Sequence, residues 1–323
     1  MATVRDERIM HLANFNITFG EEEAPMLEYF EKIIFPAFTA KYKRGKEGEP
    51  RFYFTDVKIK EIDGRYALVG NYIKDTKYEV YTTIDKGKLV PNPSEIPTAP
   101  YSRFIILLEN HRMVLVRNES QSPDIRSFQL TIKDFIKRYR RNYNKKIQNK
   151  EKKLPKENVN IVDIQLSQDV KAYLEENISD IKKVKYLRVK FFPLNNDIDP
   201  SLLARGIGEE MKKLRSSRAQ LRYTSPGSMT EIKNVIDSTD GTGMATTILD
   251  VEDESGTIRK ITSDKMKSSR RIVIGGNVQE SNDDYIAMQA KKDKTMETLS
   301  PENIRLYEKF VPIIEKLKNM LIS

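Results

Sequence analysis

SPDIRSFQLTIKDFIKRYRRNYNKKIQ, from Ser122 to Gln148, decides how this chain is read. Count about 100° per residue from Ile125. The apolar residues Phe128, Ile132, Phe135, Ile136, Tyr139, Tyr143 and Ile147 then fall within an arc of roughly 120°. Lys133, Lys137, Arg140, Arg141 and Lys145 fall on the opposite side. Ser122-Pro123-Asp124 supplies a helix start: an oxygen to cap free N–H groups, a proline that needs no donor, then an acid for the dipole. Pro155 marks an end. The expectation is a long helix, apolar on one face, with both tyrosines in the core. Some 25 residues would reach about 38 Å.

The other face is nearly single-sign. Lys133 to Lys156 holds eleven Lys and Arg against two acids, Asp134 and Glu151, which leaves +9, the formal charge of the whole chain. The basicity is therefore focused in one place, the electrostatic footprint of a polyanion binder. A mixed-sign face would suit plain solvation better. The candidate contacts here are Lys133, Lys137, Arg138, Arg140, Arg141, Lys145 and Lys146. A second basic group, Lys212, Lys213, Arg215 and Arg218, runs on to Arg222 beside Tyr223. A third, Arg259, Lys260, Lys265, Lys267, Arg270 and Arg271, encloses only Asp264. The competing expectation for both is that nearby acids match them after folding. Nucleic-acid readers of single strands interleave exposed aromatics with basic residues. That pattern is weak here, so phosphate-driven duplex binding is favoured, with RNA as the alternative.

Outward from the helix, 323 residues suffice for two domains. The split expected at Pro155 gives residues 1–154 and 155–323. Ile9–Phe19 reads as a strand and Glu21–Phe35 as a helix. Arg51–Ile62, Arg65–Ile73 and Tyr78–Asp85 read as strands, with Asp63-Gly64 as a hairpin turn. Pro91–Pro100 reads as an exposed connection. Phe104–Leu108 and Met113–Val116 flank a turn at Asn110-His111. Beyond Pro155, strands are expected at Val159–Leu166 and Val184–Phe192, and helices at Asp169–Ile178, Pro200–Ala219 and Met229–Val235. Met244–Val251, Thr257–Thr262 and Arg271–Ile274 suggest a three-stranded meander. Asp283–Ser300 is expected to be polar and mobile. Ser300-Pro301-Glu302 caps a last helix with an apolar stripe; that stripe either docks on its own domain, the commoner outcome, or serves a homodimer, and a homodimer is the expectation. The class is α+β: two subdomains with mainly antiparallel sheets and one long basic amphipathic helix.

Catalytic signals are weak. The chain has no cysteine and two histidines, His11 and His111, which argues against thiolate chemistry and His-rich metal sites. Glu231-Ile232-Lys233 and Glu151-Lys152-Lys153 have a carboxylate–x–lysine spacing that a metal nuclease could use on a strand, where both groups share a face. Asp240-Gly241-Thr242-Gly243 lacks the Gly-Lys-Ser/Thr ending of a phosphate loop. Asp250, Glu252, Asp253 and Glu254 precede Ser255-Gly256 and read as a hairpin tip. No cofactor and no catalytic residue is expected. No apolar run approaches a membrane span, and Arg5-Asp6-Glu7-Arg8 interrupts any leader, so a soluble, cytoplasmic protein is expected.

The order of ANFNITF, YSRFIILLENHRMVLVRN, SPDIRSFQLTIKDFI, KKVKYLRVKFFPLN and GMATTILDVEDESGTIRKITS resembles an uncharacterised bacterial family encoded in phage-defence regions and prophages. More distantly, the layout is similar to Rex-type phage-exclusion proteins. That resemblance implies a dimeric, largely non-specific duplex-DNA binder with two α/β domains. It implies a role in phage exclusion beside a separate effector protein. It brings no catalytic motif, and a self-sufficient metal nuclease stays open.

Overall fold

The computed structural model describes residues 6–164, 181–193, 202–239, 245–262, 269–297 and 299–320. β1 (Glu7–Phe19) is the spine. One of its edges pairs with β7 (Arg112–Arg117). The other takes β13 (Arg270–Val273) along Glu7–Met10 and β8 (Glu157–Asp163) along Ala13–Phe19. Beyond β7 the curled sheet runs through β6 (Tyr101–Leu107), β4 (Arg65–Asp85) and β3 (Arg51–Ile62). β2 (Ala24–Pro25) bridges to the end of β1, and β5 (Lys88–Thr98) pairs with the outer half of β4. A second sheet has the order β10 (Ala219–Thr224), β9 (Ile181–Phe191), β11 (Ala245–Asp253), β12 (Ile258–Thr262). Every described pairing is antiparallel, so the fold is α+β.

Alternation along the strands covers the large sheet on both faces. Phe104, Ile106, Leu68 and Tyr72 face α1 (Phe35–Thr39), α2 (Ile125–Lys146) and α6 (Pro301–Met320). Ile105, Val69 and Val114 face the opposite way, onto α5 (Asp283–Lys291). A smaller core joins the second sheet to α3 (Leu202–Lys213) and α4 (Met229–Thr239).

The expected boundary at 154/155 cuts through the large sheet. β8, β13, α5 and α6 all follow it and all return to that sheet, so the second sheet with α3 and α4 is an insertion between β8 and β13. The third meander strand is β13, which joins β1 instead of β12. Asp283–Ser300 is no polar tail: Ile286, Ala287, Ala290 and Met296 are buried there. The helix expected from Glu21 is a 3-10 turn at Met26–Tyr29, a π turn at Phe30–Ile34 and short α1. Pro36 has no N–H to continue a regular ladder through this point. Pro91–Pro100 is largely strand β5, whose prolines lie on an edge, where sheets tolerate them. The expected helix over Asp169–Ile178, the Asp240–Gly243 turn, Lys265 and Lys267 lie outside the described residues.

Gly70 shows how tightly the main core is closed. It sits opposite Phe104 in the β4–β6 register. A Cβ there would lie 2.8 Å from the Phe104 ring and 3.1 Å from the Thr55 carbonyl oxygen. Phe104 in turn packs on Phe38, Phe54 and Phe128 at centroid distances of 5.5, 5.6 and 5.3 Å. The ring cannot retreat without disturbing three others. Gly70→Ala is therefore expected to cost about 1–3 kcal/mol, read as a lower denaturant midpoint. An unchanged midpoint would show that the cluster yields.

Candidate nucleic-acid interface

Helix α2 begins about two turns before its basic ridge does, with exposed Arg126 as the cation of its opening turn. Asp124 is the cap residue: its carboxylate accepts from the Ser127 N–H at 2.8 Å. Ser122, expected in that role, is buried and accepts from the Glu119 N–H instead. Ile125, Phe128, Ile132, Phe135 and Ile136 are buried against the sheet. Tyr139 is partly buried, whereas Tyr143 is exposed, against expectation, because the helix has run past the core by then. The helix stops at Lys146, short of Pro155. There the Asn144 side chain donates to the Leu154 carbonyl at 2.9 Å and accepts from its N–H at 2.8 Å. That clamp folds the chain back so that Leu154 enters the core and β8 can start.

The cations of α2 divide into two groups. Lys133, Lys137, Arg141 and Lys145 recur every fourth residue, are exposed, and have no acidic partner among the described residues. At 1.5 Å per residue they form a ridge about 18 Å long, roughly the axial span of five phosphates on one DNA strand. Exposed Lys146 ends the helix about 100° round from Lys145, and exposed Lys150, Lys152, Lys153 and Lys156 follow in the return segment. Arg138 and Arg140 are engaged elsewhere. Arg138 pairs with Asp134 at 2.6 Å and donates to the Lys43 carbonyl at 3.0 Å. Arg140 lies 2.6 Å from the nearly buried Glu157 and ties α2 to β8.

The loop before β3 packs on the flank of α2 formed by Ser127, Thr131, Arg138 and Asn142. Arg44 donates to Thr131 at 2.8 Å and to Ser127 at 3.1 Å, and Asn142 reaches the Tyr42 hydroxyl at 3.3 Å. Exposed Lys41 and Lys46 are thereby held beside α2. Neither was among the expected contacts, although the basic run KYKRGKEGEP was visible in sequence. What sequence could not show is the Arg44 anchor that brings it there.

The other two basic groups are largely matched by acids. Arg215 pairs with Glu21 at 2.8 Å, Lys213 with Glu210 at 2.7 Å, and Lys212 lies 4.0 Å from Glu23. Burial pushes the Glu23 carboxyl up, and Lys212 pulls it down. Arg222 stacks on Tyr186 at 3.6 Å, which leaves Arg218 as the cation of that group with no acidic or aromatic partner among the described residues. In the third group Arg259 pairs with Asp253 at 2.9 Å, Arg270 with Asp293 at 2.6 Å and Arg271 with Glu7 at 2.7 Å. Lys260 is exposed. Exposed ion pairs are weak and can open, but they reduce the local positive field.

The acidic candidates are occupied in the same way. Asp250 pairs with Arg188, and Glu252 with Lys185 at 2.9 Å. The Lys185 ammonium holds the Glu252 carboxyl below its usual range, and the Ser255 hydroxyl does the same for Asp253. Gly256, at φ +81°, makes the expected hairpin tip. Glu231 and Lys233 lie on helix α4, where an i, i+2 pair diverges, and Lys233 turns to Asp237 at 3.7 Å. Glu151 lies in a 3-10 turn. Among the described residues, no three His, Asp or Glu side chains are grouped to hold a metal ion. No described helix is long and apolar enough to cross a membrane.

No protein-family model, no curated protein and no solved structure matches the chain.

Proposed function

We propose that this chain binds duplex DNA without regard to sequence, laying the Lys133–Lys137–Arg141–Lys145 ridge of α2 along one strand. Lys41, Lys46 and Lys146 flank the contact. The observation that supports this most is the ridge itself: four unmatched cations at constant spacing on a helix whose other face is locked into the core. Such a ridge meets phosphates, contacts that position a duplex without reading its sequence. The biological setting we propose is a bacterial or prophage defence system of the exclusion type. In it the chain, as a homodimer, occupies DNA, and a separate protein supplies the effector chemistry. That setting follows from the family resemblance.

Fluorescence anisotropy on two unrelated duplexes, a single strand and an RNA hairpin tests the ligand. The duplexes should bind equally and better than the other two. Exposed Tyr143, next to the basic turn, is the one observation favouring single strands, because an aromatic can stack on a base. Clear preference for RNA or a single strand would replace the duplex. Plasmid DNA incubated with Mg²⁺ or Mn²⁺ should stay intact. Nicking that disappears in Glu231→Gln while binding persists would make the chain a nuclease.

A further inference from the structure

Beyond Asp75, β4 leaves the body of the protein. Its outer half, Thr76 to Asp85, pairs with β5, while β3 stops pairing at Asp75. The result is a two-stranded arm. Directly opposed residues share a face. Tyr78 lies opposite Ile96, Thr82 opposite Pro91 and Ile84 opposite Leu89, and that face bears no charge from Thr76 to Thr98. Lys77, Glu79 and Asp85 point to the other face, where Lys77 pairs with Glu95. The uncharged face stands in solvent: Ile84 is 72% and Leu89 75% exposed. A lone hairpin of this kind is marginal in water.

Its two edges differ. β5 carries Pro91, Pro93 and Pro97, which have no N–H to offer an added strand. The Thr76–Asp85 edge has no proline and no strand beside it among the described residues.

We infer that a second copy of this chain adds to that edge, antiparallel, about a two-fold axis at Tyr81. The product is a four-stranded sheet in which two β4 arms lie between two β5 strands. The register follows from charge. Centred on Tyr81, Lys77 faces Asp85 of the copy, twice by symmetry, Tyr78 faces Ile84, and the two Tyr81 rings meet. A slip by two residues in one direction sets Glu79 against Asp85. A slip the other way sets Asp75 against Asp85. A slip by one residue turns each uncharged face onto a charged one. The choice of occupant also follows from charge. The arm balances Lys77, Lys86 and Lys88 against Glu79, Asp85 and Glu95, in a chain whose formal charge is +9. Two basic copies can therefore meet there without repulsion, and a polyphosphate has little to hold. An edge of this length closes about eight interstrand hydrogen bonds, within the range of a standard protein interface.

This deepens the homodimer part of the proposed function and is independent of its DNA part. Light scattering after size exclusion, at micromolar concentration, should give twice the 37.5 kDa chain mass. Lys77→Asp and Asp85→Lys should each raise the dimer dissociation constant roughly tenfold or more, because each sets like charges opposite twice. Mixed in equal amounts, the two variants should recover the dimer, since every facing pair is again of opposite sign. The arm lies outside the core, so circular dichroism should match the parent in both. A monomeric parent overturns the dimer and its surface together. A dimer that ignores both substitutions, or variants that do not rescue each other, overturns the surface alone. A monomer that sediments with neutral phosphatidylcholine vesicles through Ile84 and Leu89 assigns the arm to a membrane surface instead.

Discussion

Asp283→Ala is expected to cost about 3–5 kcal/mol of folding stability. Asp283 opens α5 and is fully buried, and Arg103 on β6 is 2% exposed. The guanidinium grips both carboxylate oxygens, Nε to Oδ1 at 2.8 Å and Nη2 to Oδ2 at 2.7 Å. Its third side donates to Asn71 at 3.1 Å. The helix N-terminus adds its own attraction for the acid. Removing Asp283 leaves a charged guanidinium in the core with one partner. The pair also joins segments far apart in the chain, so its loss should loosen α5 from the sheet. Guanidinium-chloride unfolding measures the cost. Arg103→Leu with Asp283→Leu should cost less than Asp283→Ala alone, since no orphan charge is then buried. A cost below about 1 kcal/mol for Asp283→Ala would mean that water reaches Arg103.

Local signals read well in this sequence, and long-range ones did not. The two faces of α2, the Asp63-Gly64 turn at φ +51° and +73°, and the Ser300 cap on α6 each depend on neighbours within a few residues. β13 was recognisable as a strand, but its pairing with β1 rests on Arg271 opposite Ile9, partners more than two hundred residues apart. Asp283–Ser300 looked polar because its four buried apolar residues are spaced through charged ones, and the acid that begins it is consumed by Arg103. The arm was hidden by prolines that usually mark a connection. The stripe of α6 drew the expectation of a dimer, yet Tyr307, Ile314 and Leu317 are buried in the chain's own core. The place proposed for a second copy therefore moves from α6 to the arm.

The candidate interface was legible to the same extent. Charge density pointed to α2, and the helical period gave its exposed face. Which cations stay unmatched depends on tertiary partners. Glu157 takes Arg140, and Glu21, Asp293 and Glu7 take Arg215, Arg270 and Arg271. A sequence shows the charges but not which acids the fold will bring to them.

The salt dependence of duplex binding tests the ridge most directly. Each phosphate neutralised releases counterions and contributes about −0.9 to the slope of log K against log salt. Four ridge cations therefore predict a slope near −4 and about a hundredfold loss of affinity between 50 and 200 mM salt. Lys137→Gln, Arg141→Gln and Lys145→Gln together should bring the slope to about −1 and weaken every duplex alike, with the unfolding midpoint unchanged. An Arg218→Gln, Lys260→Gln double variant should leave more of the slope in place. A triple variant that binds DNA with the parent's affinity and slope would contradict the assignment of α2 as the DNA-binding surface.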